Sequence, residues 1–427
     1  MSAQRSTTDP QPTTWTGSTT DADQPRFPVR LAVGLAVGAF CWIVAYLGAV
    51  GVLLPARVAE IAPDDKAAII ALNSTVSMIV ATLANITIGA SSDLTRSRFG
   101  RRTPWIWVGA IGSLGSLFVL GRVTTAGTLI AAWAVYQVFL NAIIAPLLGT
   151  LSDRVAPRYR GTAASAYALG IGVGTGLGQV IGAQFLGSTA TGFLVLGVLT
   201  FVAGPAAALF FREASSIPMP AKPFTKDLVL DNFVFARRDA RDYYLALFGK
   251  FFIMLAKFSI QGYMLYILTD YMLLEKADAA RYISLTATII MVAGITMAFV
   301  AGPLADRLGR IKLPVVISSL LIGAGVLVPF FSPSPSTIVA YAVLAGIGFG
   351  AFNAVDQALN ISVLPNPATA AKDLGILNLS NTGGQIAGPL LAAAVITASG
   401  GYRLLFVLAA GSALVGAALF TAVRRVR

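Results

Sequence analysis

The chain has 427 residues, 56% of them hydrophobic and only 12% charged, with a net charge of +12. A soluble domain carries about 25% charged residues, so a surface this poor in charge has to face lipid. There is no His, and the single Cys41 sits in an apolar run. That excludes His-based catalysis, His-ligated metal, a disulfide framework and a Cys-based metal site within one chain. The positive residues fall in short loops between apolar spans, which is an orientation signal and not a nucleic-acid surface.

Residues 1–28 form a polar, cytoplasmic, disordered tail without the basic start and apolar core of a signal peptide. Apolar stretches near the roughly 20 residues that a bilayer core demands then recur to the end. They lie at 29–54, 66–90, 104–122, 125–150, 161–187, 190–211, 243–271, 281–303, 312–332, 336–361, 371–396 and 401–423. The expected fold is therefore an all-α membrane protein of twelve transmembrane helices. The longest internal loop, a cytoplasmic linker at 212–242, divides a six-helix bundle at 29–211 from one at 243–427. Assigning alternate loops to opposite sides puts 23 Lys and Arg on one side and 6 on the other. Because positive loops stay inside, both termini are expected in the cytoplasm of a multi-pass cell-membrane protein.

The halves repeat a charged loop. After the second span comes Gly89-Ala-Ser-Ser-Asp93-Leu-Thr-Arg96-Ser-Arg98-Phe-Gly100-Arg101-Arg102, followed by Thr103 and Pro104. After the eighth comes Gly302-Pro-Leu-Ala-Asp306-Arg307-Leu-Gly309-Arg310-Ile-Lys312. Two parallel six-helix repeats with a shared loop are a transporter architecture. The second loop resembles the signature of the major facilitator superfamily in full. The first is longer, has Leu94 where Arg is usual, and looks most like the sugar-cation symporters and sucrose carriers of that superfamily. The segment from Asp153 to Gly161 is similar to the superfamily's loop between helices four and five. The glycines are expected to admit a close neighbouring helix. Asp93 and Asp306 are expected to cap a facing helix or to pair with Arg101 or Arg310. Together with Arg102 and Arg307 these residues form a candidate gating motif that closes in one domain arrangement.

Polar groups inside a bilayer are costly and usually face a cavity or a partner. Trp133, Gln137 and Asn141 share the fourth span; Lys250, Lys257 and Gln261 share a face of the seventh. Asn353, Asp356, Gln357 and Asn360 line the tenth, and Asn378, Thr382 and Gln385 the eleventh. The third, sixth, ninth and twelfth spans have no amide or charge in their interiors, which matches the superfamily arrangement where every third helix is peripheral. Candidate solute-binding residues are Lys257, Gln261, Trp133, Gln137, Asn141, Asn353, Gln357 and Asn378. Asp356 and Lys250 sit at similar depth, so they are a candidate buried pair, and Asp356 is the leading carboxylate for proton coupling. Lys257 has no acid at its own depth; it reaches toward Asp356, is neutral, or donates to the solute.

The sequence thus reads as a non-enzymatic, monomeric secondary transporter, without cofactor or metal, that moves a small hydrophilic, sugar-like solute by alternating access. Proton symport and facilitation stay open. The alternatives are an exporter of amphiphilic drugs or metabolites and a non-transporting sensor. Gln179 follows Gly178 where drug-proton antiporters carry Pro, although Gly388-Pro389 occurs in the eleventh span.

Overall fold

The computed structural model describes residues 19–218, 240–308, 310–364 and 370–424, and no strand occurs among them. Twelve long helices follow one another within these residues: α1 (Val29–Ile61), α2 (Lys66–Leu94), α3 (Thr103–Leu120), α4 (Ala126–Arg154), α5 (Arg160–Gln184) and α6 (Thr189–Phe211). Then come α7 (Arg241–Gln261), α8 (Lys276–Leu308), α9 (Lys312–Phe331), α10 (Pro335–Ser362), α11 (Ala370–Ser399) and α12 (Arg403–Thr421). Eleven are long and apolar enough to cross a membrane. The exception, α11, has 30 residues, but Ser380, Asn381 and Gln385 dilute its apolar character. It packs among the others against α2, α7 and α12.

Two helices depart from the regular ladder where the sequence dictates it. Pro55 cannot donate a backbone bond, and α1 passes it through a π-helical turn at Ala49–Leu53, continuing to Ile61. The α1 helix therefore runs seven residues beyond the expected boundary at 54. The seventh expected span, 243–271, is broken: α7 stops at Gln261, and after Gly262 and Tyr263 the chain resumes as a short helix and a π turn ending at Tyr271.

Glycine sets how closely the helices approach, since lipid offers no hydrophobic force to press them together. The α5 ladder Gly170, Gly174, Gly178 and Gly182 lies on α1: a Cβ at Gly170 would stand 2.2 Å from Ala36 O, and one at Gly178 2.3 Å from Val44 O. The matching pair in the second half, α7 and α11, uses Gly384 and Gly388, where a Cβ would come within 2.9 Å of Met254 C and 3.0 Å of Ser259 N. Repetition of the sequence thus becomes repetition of packing.

The halves meet through α2 with α11 and through α5 with α8. Among the described residues, the polar contacts that join them lie toward the end bearing the α1–α2 and α7–α8 loops. Lys66 pairs with Asp270, Tyr266 Oη donates to Pro55 O at 2.8 Å, and Tyr263 Oη donates to Ala67 O at 2.9 Å. Toward the arginine-rich end the helices emerge. In α5 no residue from Gly170 to Ala183 is exposed, whereas Gly161, Thr162, Ser165, Ala168 and Leu169 are. Among the described residues, one end of the interface is closed, and the halves part toward the other.

Candidate functional site

The break in α7 builds the closure. With the helix interrupted at Gly262, Tyr263 and Tyr266 turn toward α2 and α1 and hydrogen-bond to their backbones. The Lys66 ammonium lies 4.9 Å from the centre of the Tyr266 ring. Its partner Asp270 also accepts from Tyr402 Oη (3.0 Å) and Thr269 Oγ1 (2.8 Å). A carboxylate so well supplied with donors is held in one orientation across the interface.

Directly beneath lies a cavity of about 510 Å³, its open mouth included, between α1, α2, α4, α7 and α11. Trp133 and Tyr46 stack with ring centroids 6.1 Å apart and planes 23° from parallel, and Tyr136 backs Trp133 at 4.9 Å. Facing this shelf are Asn73, Ser77, Gln261 and Gln385. Asn73 is 1% exposed and its Oδ1 has no partner among the described residues, an acceptor held ready at a cost of about 1–3 kcal/mol unless a ligand or water meets it. Among the described residues no charged side chain lines the cavity.

The structure distributes the expected solute residues unevenly. Trp133 and Gln261 line the cavity. Gln137 is buried one turn from Trp133, with no partner for Oε1 among the described residues, but it does not reach the cavity wall. Asn141 is occupied structurally: it accepts from Asn85 Nδ2 at 3.0 Å and donates to Gln137 O at 2.9 Å, which ties α2 to α4. Asn353 and Gln357 are exposed on α10, and the exposed Asn378 accepts from Asn381 at 2.6 Å. None of these three belongs to the cavity. Lys257 stands one turn along α7 from Gln261 and forms no hydrogen bond or ion pair among the described residues. Its ammonium lies 5.4 Å and 5.6 Å from the ring centres of Phe258 and Phe349.

Tyr46, Asn73 and Ser77 were not singled out from the sequence. The available signal was Asn73 with Ser77 at helical spacing in the second span; a lone Tyr in the first span gave none.

Lys250 and Asp356 meet. Lys250 Nζ lies 2.5 Å from Asp356 Oδ2, which also accepts from Asn360 Nδ2 at 3.0 Å. Both charged side chains are buried, so α7 and α10 are pinned together by an ion pair removed from water.

In the first charged loop the pairing differs from expectation. Asp93 pairs with Arg102, not Arg101, while Arg101 reaches Asp153 at 2.8 Å. Arg102 also binds Asp153 at 2.8 Å and donates to Ser92 Oγ. The reason is the turn at Gly100 (φ +87°), which sends the buried Arg102 inward against Gly149. Glu213 crosses from beyond α6 to accept from the backbone N–H of Arg102 and Thr103 at 2.9 Å each, serving the unsatisfied N-terminus of α3. The glycine expectation is also revised. Among the described residues a Cβ at Gly89 would meet only Ala145 Cβ at an ordinary 3.9 Å, and one at Gly302 would meet nothing within 4 Å. Arg307 and Arg310 are exposed; the side chain of Asp306 and all of Gly309 lie outside the described residues.

Comparison with known proteins agrees with this architecture. The profile of the Major Facilitator Superfamily matches residues 31–276 and 246–427. No curated protein matches the chain. Among solved structures, the nucleoside transporter NupG superposes with a TM-score of 0.72 at 16% identity, over 92% of this chain and 98% of that one. A bacterial homolog of the human lysosomal transporter Spinster, inward-facing and occupied, gives 0.67 at 15% identity, over 93% and 97%. A POT family transporter in complex with a thioalcohol-conjugated peptide gives 0.68 at 14% identity, over 90% and 94%.

Proposed function

The chain belongs to the major facilitator superfamily, and on that premise we propose that it carries a neutral, hydroxyl-rich, ring-bearing solute such as a sugar by alternating access. The observation that supports this reading is the cavity under the closure, with its Trp133–Tyr46 shelf, its amides and hydroxyls, and no lining charge among the described residues. An aromatic face complements the apolar face of a ring, and uncharged donors and acceptors replace the water stripped from its hydroxyls. A cationic drug would need a carboxylate or an unshielded ring cage there. Lys257, one turn along α7 from Gln261, would supply a charged donor on the way toward the arginine-rich end. Asp356 is the carboxylate that proton coupling would use, because protonating it breaks its pair with Lys250.

The test is uptake by the purified protein in liposomes, using a panel of sugars, nucleosides, short peptides and cationic dyes, with and without a pH gradient. We expect a neutral ring solute to be accumulated or equilibrated, and Trp133→Ala to reduce its uptake at least tenfold at equal folded yield. Preference for peptides or dyes would overturn the assignment, and indifference to the pH gradient would leave a facilitator.

The same reading gives the closed end an address. Since the arginine-rich loops are assigned to the cytoplasm, the Lys66–Asp270 closure faces outward. In a Cys41→Ser background, a cysteine at the exposed Phe99 should be shielded from an impermeant thiol reagent in intact cells, and one at the exposed Ala277 should react. The opposite labelling pattern would invert the topology.

A further inference from the structure

Three arginines gather at the arginine-rich end of the first half, outside the solute cavity. Arg30 stands at the start of α1, Arg154 ends α4, and Arg212 follows α6; they line one pocket of about 500 Å³, its open side included. Two of them dock on carbonyls at the end of α6. Arg30 Nη2 donates to Leu209 O, and Arg154 Nη1 donates to Phe211 O at 2.6 Å. Helix C-terminal carbonyls lack intrahelical partners and attract cations, which accounts for one contact of each guanidinium. A guanidinium has five donors, so most of this capacity is unused. None of the three arginines forms an ion pair among the described residues. The neighbouring acids are engaged elsewhere: Glu213 accepts from the backbone of Arg102 and Thr103, and Asp153 pairs with Arg101 and Arg102.

The rest of the wall is formed by the apolar Pro28, Leu31, Phe210 and Phe211 and by Gln24, whose amide is taken up by the backbone: Nε2 donates to Arg154 O at 3.2 Å and Oε1 accepts from Ala156 N–H at 2.9 Å. The helix surface continuing away from it is exposed and apolar as well: Val29 and Val33 on α1, Val202 and Leu209 on α6. A cluster of unpaired cations at the end of an apolar helix surface has the layout of an amphiphile's head and tails. Basic pockets between transmembrane helices on the cytoplasmic side suit anionic headgroups.

We propose that this pocket binds the phosphate headgroup of an anionic phospholipid, with the acyl chains lying along the valine and leucine surface of α1 and α6. A soluble phosphate ester would offer the same oxygens to the guanidiniums. It would make no use of the apolar surface.

The experiment titrates the full chain in detergent with phosphatidylglycerol, phosphatidylcholine, or tail-less glycerol phosphate, reading retained ligand by native mass spectrometry and thermal stabilisation. The variants are Arg30→Gln, Arg212→Asn and their combination; Asn suits the left-handed backbone of Arg212 (φ +42°). Arg154 is left intact. We expect phosphatidylglycerol to be retained over phosphatidylcholine, with roughly fivefold weaker retention per arginine removed and about 25-fold in the double variant. Without lipid, Arg212→Asn should unfold at the wild-type temperature, and Arg30→Gln should fall below it only by what the bond to Leu209 O contributes. Equal retention of the two lipids, or variants that bind phosphatidylglycerol as the wild type does, would overturn the site. Glycerol phosphate binding as tightly as phosphatidylglycerol would reassign it to a soluble anion and reject the lipid.

Discussion

Removing the Asp356 carboxylate alone is expected to harm the protein more than removing both Asp356 and Lys250. In Asp356→Leu the Lys250 ammonium keeps its buried place between α7 and α10 without a counter-charge, and Asn360 loses its acceptor. Breaking a buried pair by deleting one partner typically costs about 3–5 kcal/mol, whereas replacing both charges by apolar side chains of similar size is often close to neutral. The folded yield and melting temperature of Asp356→Leu and Lys250→Met should each fall sharply. The double variant should recover most of the loss. The four proteins form a double-mutant cycle, and the pair is supported by an interaction energy of several kcal/mol with the sign of rescue. Simple additivity of the two losses would remove the ion pair as a stabilising element. Transport separates the structural role from a coupling role: a refolded double variant that still equilibrates solute but no longer responds to a pH gradient would place proton coupling at Asp356.

That pair shows what linear sequence can convey about a membrane protein. Depth is readable, because a helix rises about 1.5 Å per residue from a boundary that the hydropathy pattern supplies. The heights of Lys250 and Asp356 could therefore be compared before any contact was known. Direction around the axis is less readable. Asn141 shares a face with Trp133, yet it is consumed by Asn85 on α2, and nothing in either span announces the other as partner. Asn353 and Gln357 flank Asp356 on α10 and still miss the cavity, because that cavity lies nearer the closed end, between α7, α11 and the first half. The turn at Gly100 exchanges the roles expected for Arg101 and Arg102, a consequence of a positive φ within the loop. Spans, repeat and fold follow from period and composition, whereas the cavity wall depends on the interruption of α7 after Gln261 and on the π turn of α1.

Lys257 is where the proposed solute role can be tested most sharply. Its ammonium rests beside Phe258 and Phe349, one turn along α7 from Gln261, and no carboxylate lies within ion-pairing distance among the described residues. The rings offer the cation some electrostatic relief, worth about 2 kcal/mol or more where water is excluded. They do not accept strong hydrogen bonds, so its three donors are left for whatever passes. A solute hydroxyl or ring oxygen moving between the cavity and the arginine-rich end would meet them. Hydrogen bonds to a charged group contribute about 1.5–3 kcal/mol. Lys257→Met keeps the length and apolar stem of the side chain and deletes the charge. It should therefore weaken solute affinity roughly 10- to 150-fold. The melting temperature should hold or rise, because a half-buried cation without a counter-charge among the described residues has been removed. Affinity and melting temperature must be read on the same preparation. A well-folded Lys257→Met protein with wild-type affinity would reject the contact with solute. A fall in folded yield to the level of Asp356→Leu would instead show that Lys257 leans on Asp356 in another state of the transport cycle.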